Sequence, residues 1–556
     1  MLIDRRGFAK GAAAFAAGGA FAGKAAAQNL FAGAPQARAI AAIRDYAEAH
    51  RRYLNLPGLT VGVTSPSGFS TALSVGFEDA ETRAPIGHDT LFQIGSISKS
   101  FTSALIHQFA QEGRLRLSDR IVALLPETPL PRNSPIEVQH LLDHVAGIPG
   151  DTPLFVRGGL WTAYAPGEHW LYSNTGYDLL GQLAQHVGGK PLDHLFAERI
   201  FRPLGMRLTR GAIVPADRLA YAQGYETADK SVPFVRGTQL APAAWVDTTS
   251  GAGCIGSTAV DMNHYLRTLA NAAKGLGGMG LGAKEALAYV THSVPSDSKE
   301  MAYGNGLMHV EDKGRRYLHH TGGMVSFSSS FHVDMGNGVG AFASSNVSGF
   351  LSYRPRKLTL FAVQALGAAE AGKNIPEPPA LEPKLNKPAD FVGAYRASDG
   401  SAFDVRGGQR LSILSNGREA ALEPAGEDSF ATLHPDFRAF TLKFEHSGGK
   451  AIVAHWGPKS FVHGGVAAKL PGSDPALARL AGRYVNDSPW WGTTIIVERG
   501  GKLWIGTDTP LTPTGKNLWR IGEESWSPER ASFADFIDGQ PQTFLFSGVE
   551  FARQET

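Results

Sequence analysis

The chain has 556 residues, too many for one hydrophobic core, so two to four domains are expected. Hydrophobic residues make up 43% and charged residues 19%, a globular balance that excludes a chain dominated by disorder. Beyond residue 27, 49 cations face 50 anions, so no electrostatic footprint for nucleic acid is present, and a single cysteine, Cys254, excludes intrachain disulfides and cysteine-based metal clusters.

The first stretch reads as an address. Asp4-Arg5-Arg6-Gly7-Phe8-Ala9-Lys10 resembles the twin-arginine export signal. A weakly apolar Ala/Gly run from Gly11 to Gly23 follows, and Ala25-Ala26-Ala27 offers small residues for a signal peptidase. Residues 1–27 are therefore expected to be a cleaved signal, with the mature protein periplasmic or secreted. The run is shorter than the roughly 20 residues of a membrane span, and no later stretch is long and apolar enough, so no stable membrane insertion is expected after cleavage.

Ala37 to Tyr53 predicts a helix. Leu59-Thr60-Val61-Gly62-Val63-Thr64 predicts a strand, with Thr71 to Gly76 as its hairpin partner. Ser98 to Glu112 predicts a helix with Phe101, Leu105, Ile106 and Phe109 on one face and Gly113 at its end. Gly176 to Val187 predicts another, closed by Gly188-Gly189. Five prolines between Ile375 and Pro388 mark a stiff linker.

After the linker, short strand-like runs alternate with Gly-rich turns. Phe391-Val392-Gly393-Ala394-Tyr395 recurs weakly as Leu480-Ala481-Gly482-Arg483-Tyr484, 89 residues later, which fits two closed barrels of about 80 residues. The expected division is a catalytic domain over 28–370, a linker over 371–389, and β-barrel domains over 390–470 and 476–556.

Three motifs carry chemistry. In Ile94-Gly95-Ser96-Ile97-Ser98-Lys99, a spacing of three puts Ser96 and Lys99 on one helical face, where a lysine of lowered pKa can take the serine's proton. Tyr172-Ser173-Asn174 precedes the second good helix; its phenol can act as a base beside a cation, and its amide can bond Lys99 and a substrate carbonyl. His320-Thr321-Gly322-Gly323 opens a strand-like stretch from Val325 to Val333, whose glycines let a substrate backbone come close.

Ser-x-x-Lys, Tyr-x-Asn and His-Thr-Gly in this order resemble the class C β-lactamase, DD-peptidase and D-aminopeptidase family of penicillin-recognising serine hydrolases. Asp89 to Ser96, Leu141-Leu142-Asp143-His144-Val145-Ala146-Gly147-Ile148-Pro149, Pro203-Leu204-Gly205-Met206 and Ser257 to Met262 extend the likeness over roughly residues 38–367. Histidine at 320 replaces the lysine of most β-lactamases of the family and is similar to DD-peptidases, D-amino-acid peptidases and some esterases. Gly323 lacks the hydroxyl with which some relatives hold a substrate carboxylate.

The resemblance implies a serine β-lactamase-like α/β (α+β) domain, an antiparallel sheet flanked by helices with a helical subdomain. It implies an acyl-enzyme on Ser96, with Lys99 and Tyr172 sharing the proton and the amides of Ser96 and Gly323 holding the oxyanion. Asn174, His320, Thr321, Gly322 and Gly323 would bind substrate, His320 by orienting Tyr172 or the substrate through a hydrogen bond. No cofactor or metal is implied, and His140 and His144 read as structural. The expected substrate is a small peptide, amide or ester, first of all an amide or peptide with D-residues. A carboxylesterase, a β-lactamase and, in another class, a non-catalytic cell-wall or protein binding module are the alternatives. Because the D-aminopeptidase branch brings a loop of its last barrel to the active site, Asn486-Asp487-Ser488-Pro489-Trp490-Trp491 is the candidate for such a loop; otherwise its tryptophans fill their own barrel.

Overall fold

A computed structural model describes residues 35–298, 300–347, 354–408, 410–464, 470 and 472–555. The export signal expected at residues 1–27 lies outside them. Helix α1 (Pro35–Leu54) turns Ala39, Ile43, Tyr46 and Ala47 inward, the three-and-four spacing of one apolar face. Strands β1 (Gly58–Thr64) and β2 (Ser70–Asp79) form the expected hairpin. Helix α2 (Ser98–Gln111) ends where Gly113 takes φ +72°, and helix α3 (Asn174–Gly188) ends on Gly189 at φ +68°. Helix α4 (Ala259–Ala273) follows, capped by the Thr258 hydroxyl. Strands β3 (Leu307–Asp312), β4 (Arg315–Gly323), β5 (Ser328–Asp334) and β6 (Gly340–Ser345) precede the closing helix α5 (Arg356–Glu370).

These strands belong to one nine-stranded antiparallel sheet in which β1 lies between β2 and β6, and β5 joins β6 to β4. Both faces are covered. Ala341 and Ala343 of β6 join Leu59, Val61 and Val63 under α1 and α5, whereas Phe342 joins the larger core built from α2, α3 and α4. Alternation along β6 thus feeds two separate cores.

Register decides where a substrate can dock. β3 pairs with β4 only as far as His319, while β5 stays paired through Gly323. From His320 to Gly323, β4 therefore has no strand on its outer edge among the described residues. The sequence placed this motif at the start of a strand. It ends one instead, and the following strand begins at Ser328, because Met324 to Phe327 form a turn closed by the Met324 amide on the Phe327 carbonyl.

Two closed eight-stranded barrels follow, from Gly393 to His463 and from Gly482 to Gln554. The faint repeat is a repeated tie. The Tyr395 hydroxyl donates to the Phe391 carbonyl and the Tyr484 hydroxyl to the Leu480 carbonyl, each at 2.8 Å. A register shift at Pro424/Gly426 recurs at Pro513/Gly515, also 89 residues on.

Two segments of the second barrel, among others, pack on the catalytic domain near the site. Trp490 packs on the cluster of Phe92, Ile213, Met324 and Phe327, just past Gly323, while Trp491 fills its own barrel against Phe546 and Phe551. The candidate loop is thus divided between the two readings given above. The connection between strands Leu518–Ile521 and Arg530–Ile537 makes the second contact. Trp526 stacks on His169 at 4.6 Å, and the Trp161 indole donates to the Pro528 carbonyl at 2.8 Å.

Candidate active site

Ser96 sits in a single 3-10 turn, Gly95–Ile97, that runs straight into α2. Glycine is required at 95. It takes φ +54°, and a Cβ there would fall 2.8 Å from the backbone of Gly323. Gly322 is packed the same way, since a Cβ on it would overlap the Ile94 carbonyl, which also accepts the Ser329 hydroxyl at 2.8 Å. Bare backbone against bare backbone brings the end of β4 beside the serine.

Lys99 follows one turn later and is wholly buried, beneath a half-buried Ser96. Its amine meets three oxygens: Asn174 Oδ1 at 2.6 Å, the Ala252 carbonyl at 2.9 Å and Ser96 Oγ at 3.2 Å. Burial lowers its pKa to about 7, with the carboxylates of Asp178 and Asp151 pulling the other way. Asp178 stands one turn after Asn174 and is itself raised to about 6 by burial. It accepts the Ser250 hydroxyl, Ser250 Oγ accepts the Ala252 amide, and the Ala252 carbonyl is thereby aimed at Lys99.

Asn174 opens α3 behind a Ser173 cap, whose hydroxyl accepts from the Gly176 amide. Its oxygen faces Lys99. Its NH2 group, expected to be available to substrate, is engaged by Asp151 at 2.6 Å. The Tyr172 phenol lies close enough to Ser96 for the serine to lower its pKa, and its ring lies 4.8 Å from the Lys99 amine. Burial pushes the phenol well above its ordinary range, so it is a protonated hydroxyl at neutral pH. His144 supports it from behind: its ring packs tilted against that of Tyr172 at 4.4 Å, and its Nδ1 accepts the Ser173 amide at 3.1 Å.

His320 behaves differently from the sequence expectation. Its Nδ1 is 2.7 Å from the Thr321 carbonyl, which can only accept, so Nδ1 carries the proton. Burial, with the charge of Lys99, lowers its pKa to about 3, so the ring is neutral and Nε2 is an acceptor. That acceptor takes the Tyr303 hydroxyl at 3.1 Å, not Tyr172, whose ring centre is 6.4 Å away. Thr321 and Gly323 are partly exposed, Gly322 buried. Arg354 lies where a side chain on Gly323 would stand, close enough to interact electrostatically with the Tyr172 phenol.

The structure thus gathers Ser96, Lys99, Tyr172, Asn174 and the end of β4 in one cleft, and adds Asp151, Asp178, Tyr303 and Arg354. Asp178 was legible as a helical neighbour of Asn174; Arg354 and Tyr303 carry no local signal. Cys254 is buried, and burial drives its thiol far above neutrality, so it is no rival nucleophile.

This site and its sheet define a fold of the β-lactamase type. The chain belongs to the Beta-lactamase family, whose model matches residues 41–365. It is 30% identical to a Beta-lactamase of Pseudomonas fluorescens over 230 residues, 40% of this chain and 62% of that protein's length. It is 24% identical to Penicillin-binding protein 4* of Bacillus subtilis (strain 168) over 422 residues, 70% of this chain and 88% of the relative. The octameric penicillin-binding protein homologue from Pyrococcus abyssi superposes with a TM-score of 0.55 at 22% identity, covering 76% of this chain and 99% of the other.

Proposed function

We propose that the protein cleaves amide bonds in short peptides or amino-acid amides, D-residues among them, through an acyl-enzyme on Ser96. The contact that carries this reading is Lys99 to Ser96. Two fixed acceptors, Asn174 Oδ1 and the Ala252 carbonyl, take two N–H bonds of the lysine, so the remaining position on Nζ faces Ser96 Oγ. A lysine of pKa about 7 is half neutral there and can remove the serine's proton.

Ser96 Oγ then bonds the substrate carbonyl carbon. The oxyanion rests on the amides of Ser96 and Gly323, each such donor contributing about 3 kcal/mol in comparable sites. Tyr172 gives its proton to the departing amine as the C–N bond breaks, and the Lys99 ammonium, 4.8 Å from the Tyr172 ring, returns a proton to the phenolate and is again a free amine. Water then gives a proton to the same amine and attacks the ester, and as the acyl–Oγ bond breaks the Lys99 ammonium returns that proton to Ser96 and the acid leaves.

Arg354 above Gly323 supports a substrate with a carboxylate near the scissile bond, such as a peptide with a free C-terminus. The neutral His320 supplies no charge for this. Likeness of His320-Thr321-Gly322 to the motif of DD-peptidases and D-amino-acid peptidases supports D-configured residues. The twin-arginine-like start of the chain supports a place outside the cytoplasm, tested by fractionating cells that express Arg5→Lys/Arg6→Lys.

The test is a panel of D-alanyl p-nitroanilide, p-nitrophenyl butyrate and nitrocefin, with fluorophosphonate labelling of the parent and Ser96→Ala. Turnover of the anilide and an adduct on Ser96 are expected. An adduct elsewhere overturns the reading. Cleavage of the butyrate alone makes the protein an esterase, and of nitrocefin alone a β-lactamase. Full binding by Ser96→Ala with no turnover in the parent makes it a binding module.

A further inference from the structure

A line of hydrogen bonds enters the catalytic cleft from the second barrel. Glu529 Oε1 accepts the Gly150 amide at 2.7 Å. The next residue, Asp151, accepts the Asn174 amide NH2 at 2.6 Å, and Asn174 Oδ1 accepts from Lys99 at 2.6 Å. Gly150 is buried, and its carbonyl is taken by the Thr175 amide at 3.1 Å. Its N–H faces Glu529, so without that carboxylate a buried backbone donor loses its acceptor. A Cβ on Gly150 would lie 3.1 Å from the Tyr172 carbonyl and 3.3 Å from Glu529 Oε1, so the three groups are in close register.

Glu529 is itself held. Its second oxygen accepts the Ser547 hydroxyl from the same barrel. Arg530 lies over the Trp161 ring at 4.6 Å, and the Trp161 indole donates to the Pro528 carbonyl. The carboxylate itself is thus held from within its own barrel by Ser547, while the Trp161 contacts lie beside it.

We infer that Glu529 of the second barrel is a positioning residue for Lys99, acting through the Gly150–Asp151 segment and the amide of Asn174. Asp151 decides which way the Asn174 amide faces: with its NH2 group on a carboxylate, its oxygen must face the lysine. Glu529 holds Asp151 where it can do so. The barrel is then part of the catalytic machinery rather than an appended module. The inference rests on Ser96 and Lys99 being the reacting pair.

The test compares Glu529→Ala, Glu529→Gln and Trp161→Phe in the full chain. The Trp161→Phe change removes an interface hydrogen bond that does not reach Gly150. Fluorophosphonate titration counts active sites, so that kcat is expressed per competent site. Glu529→Ala is expected to lower kcat by about tenfold or more with a smaller change in KM. The acid limb of its pH–rate profile should move to lower pH, because an ammonium that loses its Asn174 acceptor gives up its proton more readily. Glu529→Gln keeps an acceptor for Gly150 and should restore most of the rate, and Trp161→Phe should stay within about twofold of the parent. If Glu529→Ala does not fold, Ser547→Ala gives a smaller shift in the same direction. Parent-like kcat per titrated site in Glu529→Ala, or equal losses in Glu529→Ala and Trp161→Phe, overturns the inference. Either result leaves the function reading intact, since that fails only if Ser96→Ala stays active.

Discussion

The Lys99 amine stands 2.6 Å from Asn174 Oδ1 but 3.2 Å from Ser96 Oγ, so the lysine is bound more closely by the amide that orients it than by the hydroxyl it is to deprotonate. A shared acceptor of this kind sets both the position and the protonation of the amine.

The rate should therefore follow the free amine. Its folded pKa of about 7 lies below the ordinary lysine value, so kcat/KM should rise with pH through about 7 and level off above it. Asn174→Asp puts a carboxylate on the ammonium and should move that limb up by about one to three units, cutting the rate at pH 7 by about fivefold or more. An acid limb near 7 that ignores Asn174→Asp would detach it from Lys99.

Burying that amine costs stability. Below its unfolded pKa of about 10.4 the unfolded chain binds a proton that the folded chain releases from about pH 7 upward, so stability should climb between those values. Lys99→Met should abolish turnover yet raise unfolding stability at pH 7 by about 1–2 kcal/mol, read by urea denaturation. A destabilised Lys99→Met protein would mean that the three hydrogen bonds outweigh the burial cost.

The two glycines of the third motif should respond differently. An alanine at 322 meets the Ile94 carbonyl, rigid backbone that cannot retreat, and Gly322→Ala should cost about 3 kcal/mol or more. An alanine at 323 meets first the end of the Arg354 side chain, side-chain atoms rather than backbone. Gly323→Ala should leave the melting temperature nearly unchanged and raise KM for carboxylate-bearing substrates by about tenfold. Equal losses of stability in the two variants would refute this division.

The sequence made the centre of the site readable because the reacting groups come in short motifs: Ser96 to Lys99 at a helical spacing of three, and Tyr172 to Asn174 across the start of a helix. The barrels were readable from a five-residue echo because Tyr395 and Tyr484 tie the same turn in each. Arg354 and Glu529 were not readable. Each reaches the cleft by tertiary contact, Arg354 because Gly323 leaves it room and Glu529 because a barrel docks, and neither event has a periodicity. His320 was placed in the right cleft, but the Thr321 carbonyl fixes its tautomer, and the partner of its Nε2 is not Tyr172 but Tyr303 on another strand.

That partner offers its own test. Tyr303→Phe removes the hydroxyl that occupies His320 Nε2 and leaves a buried acceptor without a donor. The ring is then free to turn, and Thr321 with it, so kcat should fall about three- to tenfold while fluorophosphonate still labels Ser96. An unchanged kcat would make the Tyr303–His320 bond irrelevant to the reaction.

The catalytic domain should also be acid-labile for a reason located in its sheet. His319 and His332 stack at 4.0 Å on neighbouring strands, His319 Nδ1 donating to the Phe331 carbonyl and His332 Nδ1 meeting the Thr359 hydroxyl. Burial holds both neutral, His319 at about 4 and His332 well below its ordinary value. His107 is likewise lowered to about 4, again by burial. In the unfolded chain each takes a proton as pH falls through about 6.5, whereas in the fold His319 and His107 resist until near 4 and His332 stays neutral well below its ordinary range, so their contribution is complete above 6.5 and is lost on the way down. Each adds a slope of up to about 1.4 kcal/mol per pH unit in that window. The urea midpoint should hence drop steeply between pH 6.5 and 4.5, and His319→Gln should flatten the drop by about one proton's worth. A midpoint that stays level across that window would mean these rings are already protonated in the fold, contrary to their burial.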